Sequence, residues 1–269
     1  MQSELAKIWD VHTHLAGADG RTPDEKMGWL VRYAARAGIE RIVVFMGYPF
    51  AYDPTPQELR RQNDQVLQAL SHYHDRAFGF VYVSGKYPEQ SVKEIDRCVR
   101  DGPMVGVKLW VARRCHAPEL DAIVERATQL RAPILQHTWI KTGGNLPGES
   151  TPADLAQLAK RHPHAIFLCG HAGGNWLVGL RQVRTSKNVY IETGGTDPTV
   201  GFVESAVRIL GPTRVVFGSD APGRSFASQV AKVVAADISE ENKRLVLGGN
   251  LRRLLHPILQ NKGICFEGD

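Results

Sequence analysis

Three pairs of histidines stand one residue apart in this chain: His12 and His14, His72 and His74, and His162 and His164. What such a pair can do depends on the element that carries it. On a β-strand alternate side chains share a face, so two imidazoles with Cα atoms about 6.6 Å apart can converge on one metal ion. On a helix, residues two apart point roughly 200° away from each other, and no convergence follows. His72 and His74 close a helical pattern that begins near Pro56, and His162 and His164 flank a proline in a loop that leads into a strand. Only His12 and His14 end an apolar strand-like run, Ile8-Trp9-Asp10-Val11-His12-Thr13-His14-Leu15. Ile8 and Asp10 share the face of the two histidines, while Trp9 and Val11 turn toward a covering apolar layer.

A strand that carries such a pair at its C-terminal end needs a scaffold that gathers further ligands there. Runs rich in Val, Ile and Phe lie at Lys7 to His14, Arg41 to Gly47, Ala77 to Val83, Val105 to Trp110, Pro133 to Trp139, Ala165 to His171, Val189 to Thr193 and Val215 to Asp220. Helical patterns separate them at Asp24 to Ala37, Pro56 to His74, Glu89 to Arg100, Pro118 to Leu130, Pro152 to Lys160, Trp176 to Thr185, Pro198 to Leu210 and Ser225 to Ala236. A last helical region runs from Ser239 through His256. Several helices begin with Pro after Thr, Ala or Asp, and Gly follows several of the ends. Strands alternating with helices, the strands apolar almost throughout, predict a parallel sheet covered by helices and closed into a (β/α)₈ barrel. The 269 residues, 43% of them apolar, match that fold as one domain spanning 1–269, with no internal repeat and no linker.

In such barrels chemistry sits at the C-terminal ends of the strands. The runs end Gly106-Val107-Lys108-Leu109-Trp110, Leu135-Gln136-His137, Gly170-His171-Ala172-Gly173-Gly174 and Phe217-Gly218-Ser219-Asp220-Ala221-Pro222. His12, His14, His137, His171, Lys108 and Asp220 would then face one mouth. Each alone has a structural alternative: a core histidine bonded to backbone, a loop-orienting histidine, a helix-capping aspartate. Together at one end of the barrel they favour a shared cation, which also supplies the partners that a buried Lys and Asp need. Gly106, Gly170 and Gly218 beside these positions suit a crowded backbone close to a ligand.

With these motifs, and with Asp10-Val11-His12-Thr13-His14 and Gly249-Asn250-Leu251-Arg252-Arg253-Leu254, the chain from Ile8 to His256 resembles the amidohydrolase-related proteins, a compact branch of the metal-dependent amidohydrolase superfamily. The resemblance implies a distorted (β/α)₈ barrel and a hydrolase or non-oxidative decarboxylase of small carboxylic acids, commonly with zinc. By position it makes His12, His14, His137 and Asp220 metal ligands, and His171 a second-metal ligand or the residue that holds the reactive water. In binuclear members a lysine at the end of strand four reacts with CO₂ and the carbamate bridges two metals. That implies a carboxylated Lys108 and two ions here, where mononuclear relatives hold one.

The chemistry expected of these groups is hydrolysis of a small amide, ester or lactone. A divalent ion held by neutral imidazoles lowers the pKa of bound water from about 15.7 to near 7, and Asp220 can accept the proton and pass it to the leaving group. The alternative is decarboxylation, with Asp220 or His171 protonating the carbon. A barrel-type DNase would have Glu where Lys108 stands, and a binding or scaffolding barrel would have lost a ligand. Trp110, Arg113, Arg114, Trp139, Lys141 and Arg224 stand at or after the ends of the fourth, fifth and eighth strands, where a cationic and aromatic rim would suit a planar or carboxylate-bearing substrate.

The net charge of +5 is dispersed among 28 acids, so nucleic-acid binding does not follow from it. No apolar run spans a membrane and Met1 to Lys7 lacks the core of a signal peptide, so the chain reads as cytosolic. Its four scattered cysteines read as reduced thiols rather than a disulfide framework. The partners expected are a small-molecule substrate and, at most, further copies of the same chain.

Overall fold

The computed structural model describes residues 7–47, 50–196 and 198–265. Eight strands pair in chain order: β1 (Ile8–His14), β2 (Ile39–Phe45), β3 (Ala77–Tyr82), β4 (Gly106–Leu109), β5 (Ile134–Gln136), β6 (Phe167–Cys169), β7 (Val189–Glu192) and β8 (Val215–Val216). Every adjacent pair is parallel. Helices fill the connections: α1 (Pro23–Arg36), α2 (Pro56–Tyr73), α3 (Pro88–Ile95), α4 (Asp121–Gln129), α5 (Pro152–Arg161), α6 (Trp176–Val183), α7 (Phe202–Leu210) and α8 (Phe226–Val234). After β8 the chain adds α9 (Glu240–Arg244) and α10 (Asn250–Asn261), joined by a widened turn over Leu245–Gly249. This is the (β/α)₈ barrel expected from the sequence.

Three helices open in the same way. Thr22, Thr55 and Thr151 each accept a hydrogen bond from the backbone N–H three residues on, and a carboxylate at that position accepts from the threonine's own N–H. A proline in the first turn adds no unsatisfied donor there. These caps fix where the chain leaves the mouth and starts down the outside of the barrel.

The barrel closes between β1 and the segment after β8. Val11 N–H donates to Phe217 O (3.1 Å), Asp220 N–H to His12 O (2.8 Å) and His14 N–H to Ala221 O (2.8 Å). Asp10 reinforces the seam: its Oδ1 accepts from the backbone N–H groups of His12 and Ser219, each at 2.9 Å. The eighth strand is therefore shorter than the run from Val215 to Asp220. Past Val216 the chain leaves the β7 ladder and bonds to β1, and Asp220 takes a positive φ of 64°. The fifth and sixth strands are shorter as well, because the chain turns out at His137 and again at Gly170, where His171 and Ala172 adopt φ of 60° and 48°.

Two helical regions depart from the simple pattern. The region from Glu89 to Arg100 ends in a widened turn over Asp96–Arg100. The last region breaks into α9, the widened turn and α10, because Gly248 lies against the backbone of Lys7 and Trp9, where a Cβ would overlap the Lys7 carbonyl. It also runs past His256 to Asn261, through Pro257. A proline inside a helix costs about 3 kcal/mol. Burial of Leu255, Ile258 and Leu259 on the same helix, at about 1.5–3 kcal/mol for each side chain, outweighs it. Gly106 answers to packing as well: a Cβ there would run into the ring of Phe80. No helix among the described residues is long and apolar enough to cross a membrane.

Candidate metal centre

β1 brings His12 and His14 to the mouth with their rings 5.1 Å apart and their Nε2 atoms 3.2 Å apart. Asp220, one turn past β8, lies across from them, its Oδ1 3.1 Å from His14 Nε2 and 3.4 Å from His12 Nε2. His137, just past β5, and His171, two residues past β6, meet with Nδ1 and Nε2 at 3.1 Å. His171 also lies beside His12, ring centroids 4.8 Å apart. The four histidines and Asp220 thus form one cluster. The other pairs do not join it: His72 bonds Asp24 and His162 bonds Asp121, and His164 lines a groove of about 730 Å³ at the opposite end of the barrel.

The outward nitrogen of three of these rings is already committed. His12 Nδ1 stands 3.0 Å from Glu192 Oε1, His171 Nδ1 2.9 Å from Gly194 O, and His137 Nε2 3.1 Å from Glu149 Oε1. Each of those oxygens only accepts, so each of those nitrogens carries the proton. The remaining nitrogens, His12 Nε2, His137 Nδ1 and His171 Nε2, turn toward the shared space. Protonation does not resolve this crowding. Burial drives His12 well below its ordinary value, with Lys108 adding to the effect, lowers His14, and pushes His137 down to about 3. Imidazole nitrogens converging with a carboxylate across from them fit a divalent cation, and an acceptor on the far ring nitrogen orients a histidine ligand. Burial alone would raise Asp220, but His171, His14 and His12 outweigh it and hold its carboxyl well below the usual carboxylate range.

Lys108, on β4, is almost wholly buried, with Nζ 3.5 Å from His12 Nε2 and 4.5 Å from the centre of the Phe45 ring. Burial pushes its ammonium down to about 7, against the pull of Glu192 and Asp220. It therefore lies beside the cluster, as its position at the end of β4 implies.

Glu192 was not singled out from the sequence, although it ends β7 as His14 ends β1. It is fully buried and accepts from His12 Nδ1, from the backbone N–H of His171 and from that of Gly194. Both its oxygens are thus occupied, which makes it an orienting group for His12 rather than a free donor. Gly218 and Gly195 make room here: a Cβ at 218 would strike Glu192 Oε2, and one at 195 would strike the His171 ring. Glu149 was missed for another reason, being a loop residue twelve positions after His137 with no local pattern to mark it.

The rim residues divide. Trp139 lies nearly parallel to His137 (6.1 Å, 10°) and 5.2 Å from His171, and Trp110 meets His137 edge-on at 6.4 Å. Phe50, from the loop after β2, is 5.0 Å from His14 and 5.2 Å from Trp110, and Tyr52 stacks on Trp110. Lys141 Nζ bonds Glu149 Oε2 at 2.7 Å. The arginines are placed differently. Arg113 pairs with Glu119 and Arg114 with Asp154, and Arg224 bonds its neighbour's carbonyl while lining a cleft with Trp29 and Tyr33.

A family model described as amidohydrolase matches residues 9–256. The chain belongs to the amidohydrolase family. None of the curated proteins matches its sequence. Among solved structures it is similar to 2,6-dihydroxybenzoate decarboxylase from Rhizobium, with 16% identity, 94% of this chain and 99% of that one covered, and a TM-score of 0.73. It is similar to 5-carboxyvanillate decarboxylase from Sphingomonas paucimobilis, with 16% identity, coverage of 94% and 99%, and a TM-score of 0.72. A dihydroxybenzoic acid decarboxylase from Polaromonas, solved with bound manganese and the inhibitor 2-nitroresorcinol, matches at 17% identity, coverage of 95% and 98%, and a TM-score of 0.73. At these identities the likeness establishes the common barrel.

Proposed function

We infer that this amidohydrolase is a metal-dependent non-oxidative decarboxylase of a small aromatic carboxylic acid. The observation that carries the reading is the juxtaposition of the histidine and aspartate cluster with a wall of flat rings, Phe50, Trp110 and Trp139, directly over His14, His137 and His171. A planar ring fits such a slot, and its carboxylate would lie against the cluster. The decarboxylases of similar fold support this choice over hydrolysis, and the manganese in one of them widens the expected metal from zinc to a divalent cation of either kind.

His12, His14, His137 and Asp220, with His171 beside them, would hold the cation. A cation there supplies Lewis acidity, drawing electron density from the acid's carboxylate and the adjacent oxygen. The protein's own groups do the rest. The aromatic wall aligns the ring and keeps water from the reacting carbon. Asp220 or His171 takes up a proton from solvent and passes it to that carbon as the carbon's bond to the carboxyl carbon breaks, returning to its resting charge state. The bonding pair goes to the new C–H bond, and CO₂ leaves. Lys141 at the rim, and Lys108 within, offer cationic or hydrogen-bonding contacts to an anionic substrate. The reading treats residues 1–269 as one catalytic unit acting on a small molecule.

The test is a screen of hydroxybenzoic acids against protein loaded with zinc or manganese, following CO₂ release and the decarboxylated phenol, with lactones and aryl amides in parallel. Phenol and CO₂ in equal amounts support the reading. Turnover of lactones or amides alone returns the site to hydrolysis.

A further inference from the structure

The loop between His137 and α5 does more than border the mouth. Residues 141–149 fold back so that the last of them, Glu149, is buried beneath the rim, with only 2% of its surface exposed. Its Oε1 accepts from His137 Nε2 at 3.1 Å, while Oε2 accepts from the Leu146 backbone N–H at 3.1 Å and bonds Lys141 Nζ at 2.7 Å. The return of the loop is pinned on both sides. A Cβ at Gly148 would overlap the carbonyl oxygen of Val111, so the backbone there lies flat on the β4–α4 connection. Asn145 donates to the Trp139 carbonyl and accepts from the Lys141 N–H, and Trp139 N–H donates to Ser150 O at 2.9 Å. At the tip, a Cβ on Gly143 or Gly144 would meet nothing within 4 Å.

We propose that Glu149 is a positioning residue for the metal centre: the 141–149 strap carries its carboxylate to His137 Nε2–H and so holds His137 Nδ1 aimed at the cation. The physical reason is the geometry of a ring with two nitrogens. His137 lies just past β5, and a half-turn about χ2 would exchange its two nitrogens; a donor bond to a buried carboxylate fixes both the ring plane and the nitrogen that faces the cluster. A charge-assisted bond also makes Nδ1 a stronger donor to a cation. His12 and His171 take their orientation from the β7 end, through Glu192 and Gly194; His137 takes its own from a loop. Lys141, held by the same carboxylate, ties the strap's opening residue to that contact.

This inference rests on the metal-centre reading, and two measurements separate their failures. Zinc affinity is read by chelator competition for the wild type, Glu149→Ala, Glu149→Gln and Asn145→Ala. Glu149→Ala is expected to bind Zn²⁺ about 10- to 100-fold more weakly, the usual loss for such a partner, and Glu149→Gln, which keeps an acceptor, less so. Asn145→Ala loosens the same loop but keeps the carboxylate and its bonds to Leu146 and Lys141, and should lose less than Glu149→Ala. In metal-free protein, ¹⁵N-resolved NMR should show a downfield, slowly exchanging Nε2–H proton on His137 that Glu149→Ala abolishes and Glu149→Gln retains. Equal zinc affinity in Glu149→Ala and the wild type, or an equal loss in Asn145→Ala, overturns the proposal, as does an unchanged His137 proton in Glu149→Ala. A wild type that binds no zinc but shows the proton, lost in Glu149→Ala, overturns the metal reading and with it the role proposed for Glu149, leaving only its bond to His137.

Discussion

Replacing Lys108 with Met should make the metal-free protein more stable, by an amount that pH controls. Burial lowers the Lys108 ammonium from its ordinary 10.5 to about 7, even though Glu192 and Asp220 pull the other way. A difference of that size corresponds to about 5 kcal/mol of destabilisation wherever the unfolded lysine is charged and the native site resists the proton. The Phe45 ring 4.5 Å from Nζ returns up to about 2 kcal/mol to a desolvated cation, so desolvation wins by roughly 3 kcal/mol. The pH dependence follows from proton counting. Between about 7 and 10.5 the unfolded state binds a proton that the native state does not, so wild-type stability rises with pH across that window, by at most about 1.4 kcal/mol per unit. Below it both states bind the proton, the slope from this group vanishes and the penalty is present in full. Met fills the same space with no charge to desolvate. Urea unfolding of chelator-treated wild type and Lys108→Met should therefore show the variant ahead by about 3 kcal/mol at neutral pH, with the gap closing toward pH 10.5. A variant no more stable than the wild type at pH 7, or a gap that does not narrow as pH rises, would refute the reasoning.

His12→Ala and His14→Ala should each strip metal from the protein, while His72→Ala and His74→Ala leave it bound; equal metal content in both sets, by elemental analysis, defeats the β1 assignment. Glu192→Gln should weaken zinc binding about 10- to 100-fold, because the amide cannot match a carboxylate as acceptor for His12 Nδ1 and the two backbone N–H groups; chelator competition reads it. Asp220→Asn should keep the fold by circular dichroism and lose about 10²- to 10⁴-fold in turnover, the usual share of a proton-transferring group; near-normal turnover removes Asp220 from that role. The neutral amine of Lys108 is the form that reacts with CO₂, so a carboxylated lysine should show as two zinc equivalents rising with added bicarbonate, falling to one or none in Lys108→Ala. One equivalent, indifferent to bicarbonate, leaves Lys108 as a substrate contact.

The strand ends were legible because β periodicity and barrel geometry are both local rules. His12 and His14 share a face whatever the rest of the chain does, and every later strand of a closed barrel must deliver its C-terminus to the same mouth. The same rule, applied to β7, leads to Glu192; that residue escaped because a lone acid ending a strand carries no spacing signal. Glu149 lay beyond any such rule, since a loop's return path depends on the Gly148 contact with Val111 and on Asn145, neither of which has a pattern in sequence. The partners of the arginines were not legible either. Arg113 and Arg114 follow β4 closely enough to suggest the rim, but long flexible side chains go to the nearest acid, here Glu119 and Asp154, and position along the chain does not say where that acid is. Strand lengths were overestimated at β5, β6 and β8 because apolar runs continue past the point where the backbone turns out to present His137, His171 and Asp220. His171 and Asp220 both sit at positive φ, a conformation of about 1–3 kcal/mol that the Gly194, Glu192 and His12 contacts hold in place. The departures from regular strand geometry are thus the positions where chemistry is expected.

The charges of the mouth also set an order of events. Asp220 stays ionised, and burial disfavours the charged forms of His12, His14 and His137 and makes Lys108 easier to deprotonate. A carboxylate entering that environment without a cation would meet a like charge on Asp220, and two such charges 4 Å apart repel by about 4 kcal/mol at an effective dielectric of 20. A dication on the cluster reverses the sign. The same aromatic wall that accepts a flat ring gives the carboxylate no polar escape, so its charge falls on the cluster or on Lys141. On the decarboxylase reading the cation is therefore required for binding as well as for bond cleavage: metal-free protein should fail to hold an aromatic acid at all, rather than hold it and leave it unreacted.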